Sequence, residues 1–408
     1  MNGGRTARRP RVLFLTESFW PVLGGGETHI RELSRRLVAA GFGAEVVTRR
    51  TDASWPAAED LDGVAVCRVG PSGGGRAGKY AMVPRALVAL RKAARRCDVL
   101  VVRGTRVLGL PGLVAGAWAN RPVVLQPEVN GEMTGAVYTW GTALDRPLPR
   151  AIVSGAVRAR NTLLRDAAAG VAMSALIARE FAEAGFPPER VRHIPHGVDT
   201  RRFRPRDGEE EKAALRARLG LPRDATIVTY TGRLLRGKGL ETLVDAFARV
   251  KEPRAHLLIV GSGAGQVLSV EEALRARVAQ AGLVPRVTFA GRVDAVEDWL
   301  GASDLFAFPS EFEALGLSLI EAAACGLACV GSRTGGIVDV IDDGRSGLLV
   351  RPGDVDALAA ALGALVSDPD RRVALGAAGR AIVEARFDAE LSFDRYRALF
   401  TDLAERRA

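Results

Sequence analysis

A chain of 408 residues is too long for one ordinary core and predicts about two to three domains. Its composition, 48% hydrophobic and 25% charged, is that of a soluble globular protein, and no run of about 18 uncharged apolar residues supplies a spanning helix. The charge is uneven: residues 1–200 carry 28 Lys and Arg against 17 Asp and Glu, whereas residues 201–408 carry 29 against 30.

The basic first half suits an anionic partner, either a phospholipid surface, a lipid phosphate or a nucleic acid, or else reflects solvated arginines. The start, MNGGRTARRPRVLFL, is too short in apolar residues for a secretory segment and reads as a basic tail entering a first strand. Cys67, Cys97, Cys325 and Cys329 form no CxxC pair and have no zinc spacing, so reduced, buried thiols in a cytoplasmic protein are expected.

RVLFLTE (11–17) reads as a short apolar strand, and ETHIRELSRRLVAAG (27–41) as a helix with Ile30, Leu33, Leu37 and Val38 on one face. AEVVTRR and GVAVCRV are strands, VPRALVALRKAARRC is a helix, and DVLVVRG and RPVVLQPE are strands. Such repetition predicts a parallel sheet covered on both faces. A Pro-, Arg- and Asp-rich stretch near 199–210 reads as a linker.

A second series follows. ATIVTYTGR, AHLLIVGSG, RVTFAGRV, DLFAFPS, ACVGSRTGG and SGLLVRPGD read as strands, with helices at GLETLVDAFARVKE, EEALRARVAQAGL, VEDWLGAS and LGLSLIEAAACG. The last segment, DAELSFDRYRALFTDLAERRA, is a helix arriving after the second sheet is complete. The fold class predicted is α/β, two doubly wound Rossmann-like units, with ligands at the carboxyl ends of their strands.

PVLGGGETH (21–29) opens the first helix, and its glycines permit close backbone approach to an anion or form a plain tight turn. A dinucleotide fingerprint would need GxGxxG and a later acid; the spacing is GGG, and the second strand ends in Arg49-Arg50. GRLLRGKG (232–239) places Arg233 and Lys238 in one strand-end loop, a pairing that suits a diphosphate. Glu313 follows the strand DLFAFPS, and Glu321 lies within the next helix. Carboxylates accept bonds from vicinal sugar hydroxyls, and Gly316 at that helix start lets a phosphate close in. The structural alternative has Glu313 favouring the helix N-terminus and Glu321 meeting a neighbouring Arg.

Asp60-Leu-Asp62, Asp354-Val-Asp356 and Asp368-Pro-Asp370 stand in polar turns or helix starts, where capping outweighs metal binding. Cys325 and Cys329 are expected in the core, and His193 and His196 in ordinary hydrogen bonds at the linker.

Taken in order, PVLGGGETHIRELSRRLVAAGF, IPHGVDTRRFRP, GRLLRGKGLETLVDAF and DLFAFPSEFEALGLSLIEAAACGLACVGSRTGG resemble the motifs of family 4 glycosyltransferases, a retaining class of GT-B fold. The resemblance covers nearly the whole chain. It implies an acceptor-side domain over 1–200, a nucleotide-sugar domain over 201–386 and a helix, 387–408, packing back on the first domain. It implies that Arg233 and Lys238 bind the donor diphosphate and its departing charge, and that Glu321 holds the ribose hydroxyls. Glu313 would hold and orient the donated sugar. Gly24, Gly25 and Gly26 would approach the phosphate, and the amides of Leu317 and Ser318 would meet the diphosphate beside Gly316.

His196 stands where the family usually has Asn. Two family histidines at strand ends are replaced by Arg103 and by Gln126-Pro127-Glu128, which makes Glu128 the acceptor-side candidate. The implied partners are a nucleotide sugar and a sugar, lipid-linked or small-molecule acceptor, with no metal, no other cofactor and no nucleic acid. Ile152, Val153, Val157 and Leu163 among the arginines of 146–166 suggest peripheral contact with an anionic membrane, or else a core-facing helix with a solvated back. A sugar-nucleotide epimerase and a non-catalytic nucleotide-sugar binder are the rival readings.

Overall fold

The computed structural model describes residues 9–22, 24–73, 75–138, 150–266 and 268–406. The chain divides into two compact units, residues 1–195 with 392–408, and residues 196–391.

The first unit runs β1 (Arg11–Leu15), α1 (Gly25–Ala39), β2 (Gly43–Arg49), β3 (Ala58–Leu61), β4 (Val64–Val69), α2 (Gly75–Ala81), α3 (Val83–Arg96), β5 (Val99–Arg103), α4 (Thr105–Ala119), β6 (Val123–Gln126), α5 (Arg150–Leu164), β7 (Ala169–Ala172), α6 (Ala175–Glu183) and β8 (Val191–His193). The strands form one sheet in the order β3-β4-β2-β1-β5-β6-β7-β8. Its ladders are parallel except at the edge, where β3 pairs antiparallel with β4. Asp62 and Gly63 turn that hairpin with φ of 56° and 81°, the left-handed pair a two-residue turn needs. Asp60 accepts a bond from the Gly63 amide at 2.8 Å. The all-parallel expectation is corrected there, and this DxD is a hairpin corner.

The second unit runs α7 (Glu209–Leu219), β9 (Thr226–Thr231), α8 (Leu240–Ala248), β10 (Ala255–Val260), α9 (Glu271–Gln280), β11 (Val287–Gly291), α10 (Val296–Gly301), β12 (Leu305–Phe308), α11 (Leu317–Ala324), β13 (Ala328–Ser332), α12 (Ile337–Val340), β14 (Gly347–Val350), α13 (Val355–Ser367) and α14 (Pro369–Arg386). Its all-parallel sheet has the order β11-β10-β9-β12-β13-β14. Counted from β9, this is the doubly wound 3-2-1-4-5-6 arrangement, whose direction reverses between β9 and β12. Asp354 and Asp368 cap α13 and α14, each accepting a first-turn amide. Cys325 and Cys329 are buried, and burial pushes the Cys325 thiol up to about 12.

The last helix, α15 (Ala389–Glu405), begins in the second unit, but from Ser392 it belongs to the first. Tyr396, Leu399, Phe400 and Leu403 join the core formed by Val12, Phe14, Val99 and Val101. Phe400 meets Phe14 edge-on at 6.3 Å. Among the described residues no helix is long and apolar enough to cross a membrane. Of the segment 146–166, residues 146–149 and the side chain of Ile152 lie outside the described residues. Of the apolar residues expected there, Val157 of α5 is buried and serves packing, whereas Leu163 is exposed.

Candidate active site

In the second unit the site begins at the reversal point of the sheet. The loop after β9 carries Arg233 and Lys238, and the loop after β12 carries Glu313. Because β9 and β12 are adjacent, with Leu305 opposite Val228, their following loops meet. Gly239, at φ 66°, starts α8 so close to the second loop that a Cβ there would lie 2.0 Å from the Pro309 carbonyl oxygen. The Glu311 amide donates to the Gly237 carbonyl at 2.9 Å. This crossing brings Lys238 Nζ to 2.7 Å from Glu313 Oε2. A third loop supports the second, the Gly336 amide donating to the Glu313 carbonyl at 3.1 Å.

The ammonium has three donors, and this bond uses one of them. Arg233 is exposed, and among the described residues its guanidinium makes no hydrogen bond or ion pair. Its carbonyl accepts from the buried Tyr230 hydroxyl at 3.3 Å. Burial, with Glu313 adding, raises that phenol above its ordinary pKa.

Gly316 caps α11 at φ 94°. The first helical bond is Leu319 amide to Gly316 carbonyl, 3.0 Å, so the Leu317 and Ser318 amides precede the ladder at the positive end of the helix. Glu321 sits on the following turn, half-buried, with no hydrogen bond or ion pair among the described residues. Burial pushes its carboxyl up to about 7, opposed by Arg202 and reinforced by Glu297. Arg202 is hydrogen-bonded to Glu297 at 2.8 Å instead. The simple alternative in which Glu321 meets its own arginine therefore does not describe this helix.

The first unit holds a second constellation, at the ends of β1, β5 and β6. Gly24 precedes α1 in extended conformation, and Gly25 and Gly26 begin it. The Gly26 carbonyl accepts from Arg103 Nη1 at 2.7 Å. A Cβ on Gly26 would lie 3.2 Å from Arg103 Nη2 and 3.6 Å from Glu128 Oε1, so the glycine leaves room for both. Arg103 is only 1% exposed and pairs with Glu128 at 3.1 Å. The acceptor-side candidate Glu128 and the strand-end Arg103 thus form an ion pair with each other.

Burial raises the Glu128 carboxyl to about 7; Arg103 lowers it, while Glu27, Glu132 and Glu17 raise it. Glu132 shapes the loop beneath. It accepts the Glu128 and Val129 amides at 3.0 and 3.1 Å and the Thr105 hydroxyl at 2.8 Å, tying the β6 loop to the start of α4. Glu180 accepts the Gly131 amide at 2.6 Å. Gln126 donates through Nε2 to the Tyr396 hydroxyl at 3.0 Å, so the returning helix fixes the residue two before Glu128. Sequence reading did not single out Glu132, Glu180 or Tyr396. Two acidic residues inside apolar or glycine-rich stretches were the available signal.

Two Rossmann-like units, one with cations, carboxylates and a glycine-capped helix at its strand reversal, define a GT-B sugar-transfer enzyme. Across 97% of this chain and 99% of the other, sucrose-phosphate synthase from Thermosynechococcus elongatus superimposes with a TM-score of 0.83 at 27% identity.

The chain belongs to family 4 of the glycosyltransferases. Residues 23–202 match glycosyltransferase family 4, and residues 225–368 match the glycosyl transferases group 1. A D-inositol 3-phosphate glycosyltransferase of Xylanimonas cellulosilytica is 31% identical over 92% of both chains. A GDP-mannose-dependent monoacylated α-(1-6)-phosphatidylinositol monomannoside mannosyltransferase of Corynebacterium glutamicum is 36% identical over 53% of this chain and 58% of its own. The chain is a transferase moving sugar from a nucleotide sugar.

Proposed function

We propose that this enzyme transfers a sugar with retention of anomeric configuration to a hydroxyl of a phosphate-bearing or lipid-linked acceptor, without a metal. The observation that carries the reading is the Lys238–Glu313 pair, set at 2.7 Å at the sheet reversal. As the sugar–phosphate bond breaks, charge develops on the diphosphate. Lys238 keeps two donors for it, Arg233 offers an uncommitted guanidinium, and the Leu317 and Ser318 amides complete a preorganised set. Those cations take the part a divalent ion would play.

Glu313, anchored through its backbone and through Lys238, orients the donated sugar. Glu321 accepts the ribose hydroxyls. Retention follows from attack on the face the diphosphate leaves, with the leaving phosphate taking the acceptor proton. Glu128 positions that acceptor. The names of the relatives support the acceptor class, since one acts on an inositol phosphate and the other on a phosphatidylinositol glycoside. Peripheral contact with an anionic membrane belongs to the same reading, supported by the basic first half of the chain.

The test is thermal unfolding with UDP, GDP, ADP and CDP in turn. A nucleotide at 100 times its Kd adds about 2.7 kcal/mol. One base should raise the midpoint, and Glu321→Ala should abolish the effect. No response to any nucleotide would overturn the donor-site reading.

A further inference from the structure

Helix α4 faces the sheet on one side through glycines. A Cβ on Gly112 would lie 2.2 Å from Val102 Cγ2, and one on Gly116 2.3 Å from Val123 Cγ2, so the helix lies unusually close to β5 and β6. With Val107, Leu108 and Ala115 it completes its share of the core on that side. Its outward side does something different. Leu110, Val114 and Trp118, spaced four apart and hence on one stripe, are 36%, 41% and 58% exposed. Leu163 of the neighbouring α5 is exposed beside Leu110 and Val114, and Val88 of the neighbouring α3 is also exposed.

The charges around this stripe are mainly basic, although Asp166 lines the groove beside Leu110, Val114 and Leu163. Neither α3 nor α4 contains an Asp or Glu. The exposed face of α3 carries Arg85, Arg91, Lys92 and Arg95, and among the described residues none of these side chains makes a hydrogen bond or ion pair. Arg91 and Arg95 line the same shallow groove as Trp118. Elsewhere on the protein, exposed arginines are commonly matched by carboxylates, as Arg277 is by Asp245 and Arg218 by Asp298.

We infer that the outer face of α3 and α4 docks on an anionic lipid bilayer, Trp118, Val114 and Leu110 entering the headgroup boundary and Arg85, Arg91, Lys92 and Arg95 meeting lipid phosphates. An indole beside unpaired cations is the side-chain set an interfacial surface uses. A second copy of the chain is the wrong occupant, because a twofold contact through this face sets unpaired cations against the same cations. Single-stranded nucleic acid would ask for several stacking rings, and the stripe presents one aromatic between aliphatics. The inference names the surface for the membrane contact proposed above and does not depend on the transfer chemistry.

The experiment is co-sedimentation of the full chain with vesicles of phosphatidylcholine alone and of phosphatidylcholine mixed with phosphatidylglycerol. Binding is expected to the mixed vesicles at low salt, falling as salt rises. Arg91→Ala and Arg95→Ala should each weaken it about fivefold, and Trp118→Ala about tenfold. All three positions are exposed, so circular dichroism should show the fold unchanged. The nucleotide-dependent thermal shift should also persist in Trp118→Ala, which separates loss of docking from loss of the donor site. Absence of binding to the mixed vesicles at low salt, or binding unaltered in the Trp118→Ala and Arg95→Ala variants, would overturn the inference. So would self-association, seen by analytical ultracentrifugation, that Trp118→Ala abolishes.

Discussion

Lys238 and Glu313 are 75 residues apart in sequence and 2.7 Å apart in space, joined because the strands preceding their loops are neighbours at the point where the sheet reverses. The pair places a cation without consuming it. Replacing Lys238 by Ala should raise the barrier to transfer by about 2 to 4 kcal/mol, the range for loss of one charge-stabilising donor. The loss should fall on kcat more than on nucleotide affinity, because Arg233 and the helix amides remain. Steady-state kinetics on Lys238→Ala and Lys238→Arg read this, the arginine retaining part of the rate. Unchanged turnover in the alanine variant would remove Lys238 from the chemistry.

Glu321 and Glu128 give the protein a pH dependence of unusual sign for carboxylates. Each is pushed from an ordinary 4.5 up to about 7, first of all by burial. A folded state that holds protons more tightly than the unfolded one is stabilised below the unfolded pKa and loses that advantage as pH rises through the folded value. Stability should therefore fall between about pH 5 and pH 8, by about 1 to 3 kcal/mol per group. Denaturant unfolding across that range should show the decline, and Glu321→Gln should flatten it. Nucleotide affinity should move oppositely, since only the ionised carboxylate accepts two hydroxyls. Calorimetric titration should find binding strengthening with pH up to about 7, and no such trend in Glu321→Gln.

Arg103 offers a separate measurement in the first unit. It is buried, and its carboxylate partner is partly buried, so removing either one leaves the other without compensation. Arg103→Met should cost about 3 to 5 kcal/mol in unfolding free energy, and Glu128→Gln, which strands the buried guanidinium, a comparable amount, the double variant costing less than the sum of the two. Losses that simply add in the double variant would mean that the pair is not coupled. If Glu128 positions the acceptor, Glu128→Gln should raise the KM for acceptor and leave the nucleotide-dependent thermal shift intact.

Much of this architecture was legible because buried parallel strands are continuous apolar runs, such as Val99 to Val102, that need no partner sequence to recognise. The loops bearing Arg233, Lys238, Glu313 and Glu321 were legible for the opposite reason: charges and glycines interrupt those runs where helices should begin. The edge strand β3 was missed because AEDL is polar and its exposed register leaves no alternation to detect. Helix α4 was hidden by its own glycines and Pro111, which weaken helix propensity but serve close packing on the sheet. Helix α7 begins within the stretch that read as linker. The Arg103–Glu128 pair was illegible as a pair. The departures from family pattern were visible one at a time, but nothing in a linear reading says that the ends of β5 and β6 lie side by side.

Gly239 tests whether the two loops of the donor site act as one piece. Its φ of 66° already disfavours a side chain, and a Cβ would sit 2.0 Å from the Pro309 carbonyl oxygen. Neither strain can be relieved by rotating a flexible side chain, because the obstacle is backbone. Gly239→Ala must therefore displace the start of α8 or the loop after β12, and either movement separates Lys238 from Glu313. The expected cost is at least about 1 to 3 kcal/mol of stability, with transfer activity reduced much as in Lys238→Ala. Gly220, which ends α7 at φ 67° with nothing near its Cβ, is the matched control. Its alanine variant carries the conformational strain alone, so thermal unfolding should show a smaller loss and kinetics should show none. Equal activity in the two variants would mean that the two loops move independently and that the pair does not depend on their crossing.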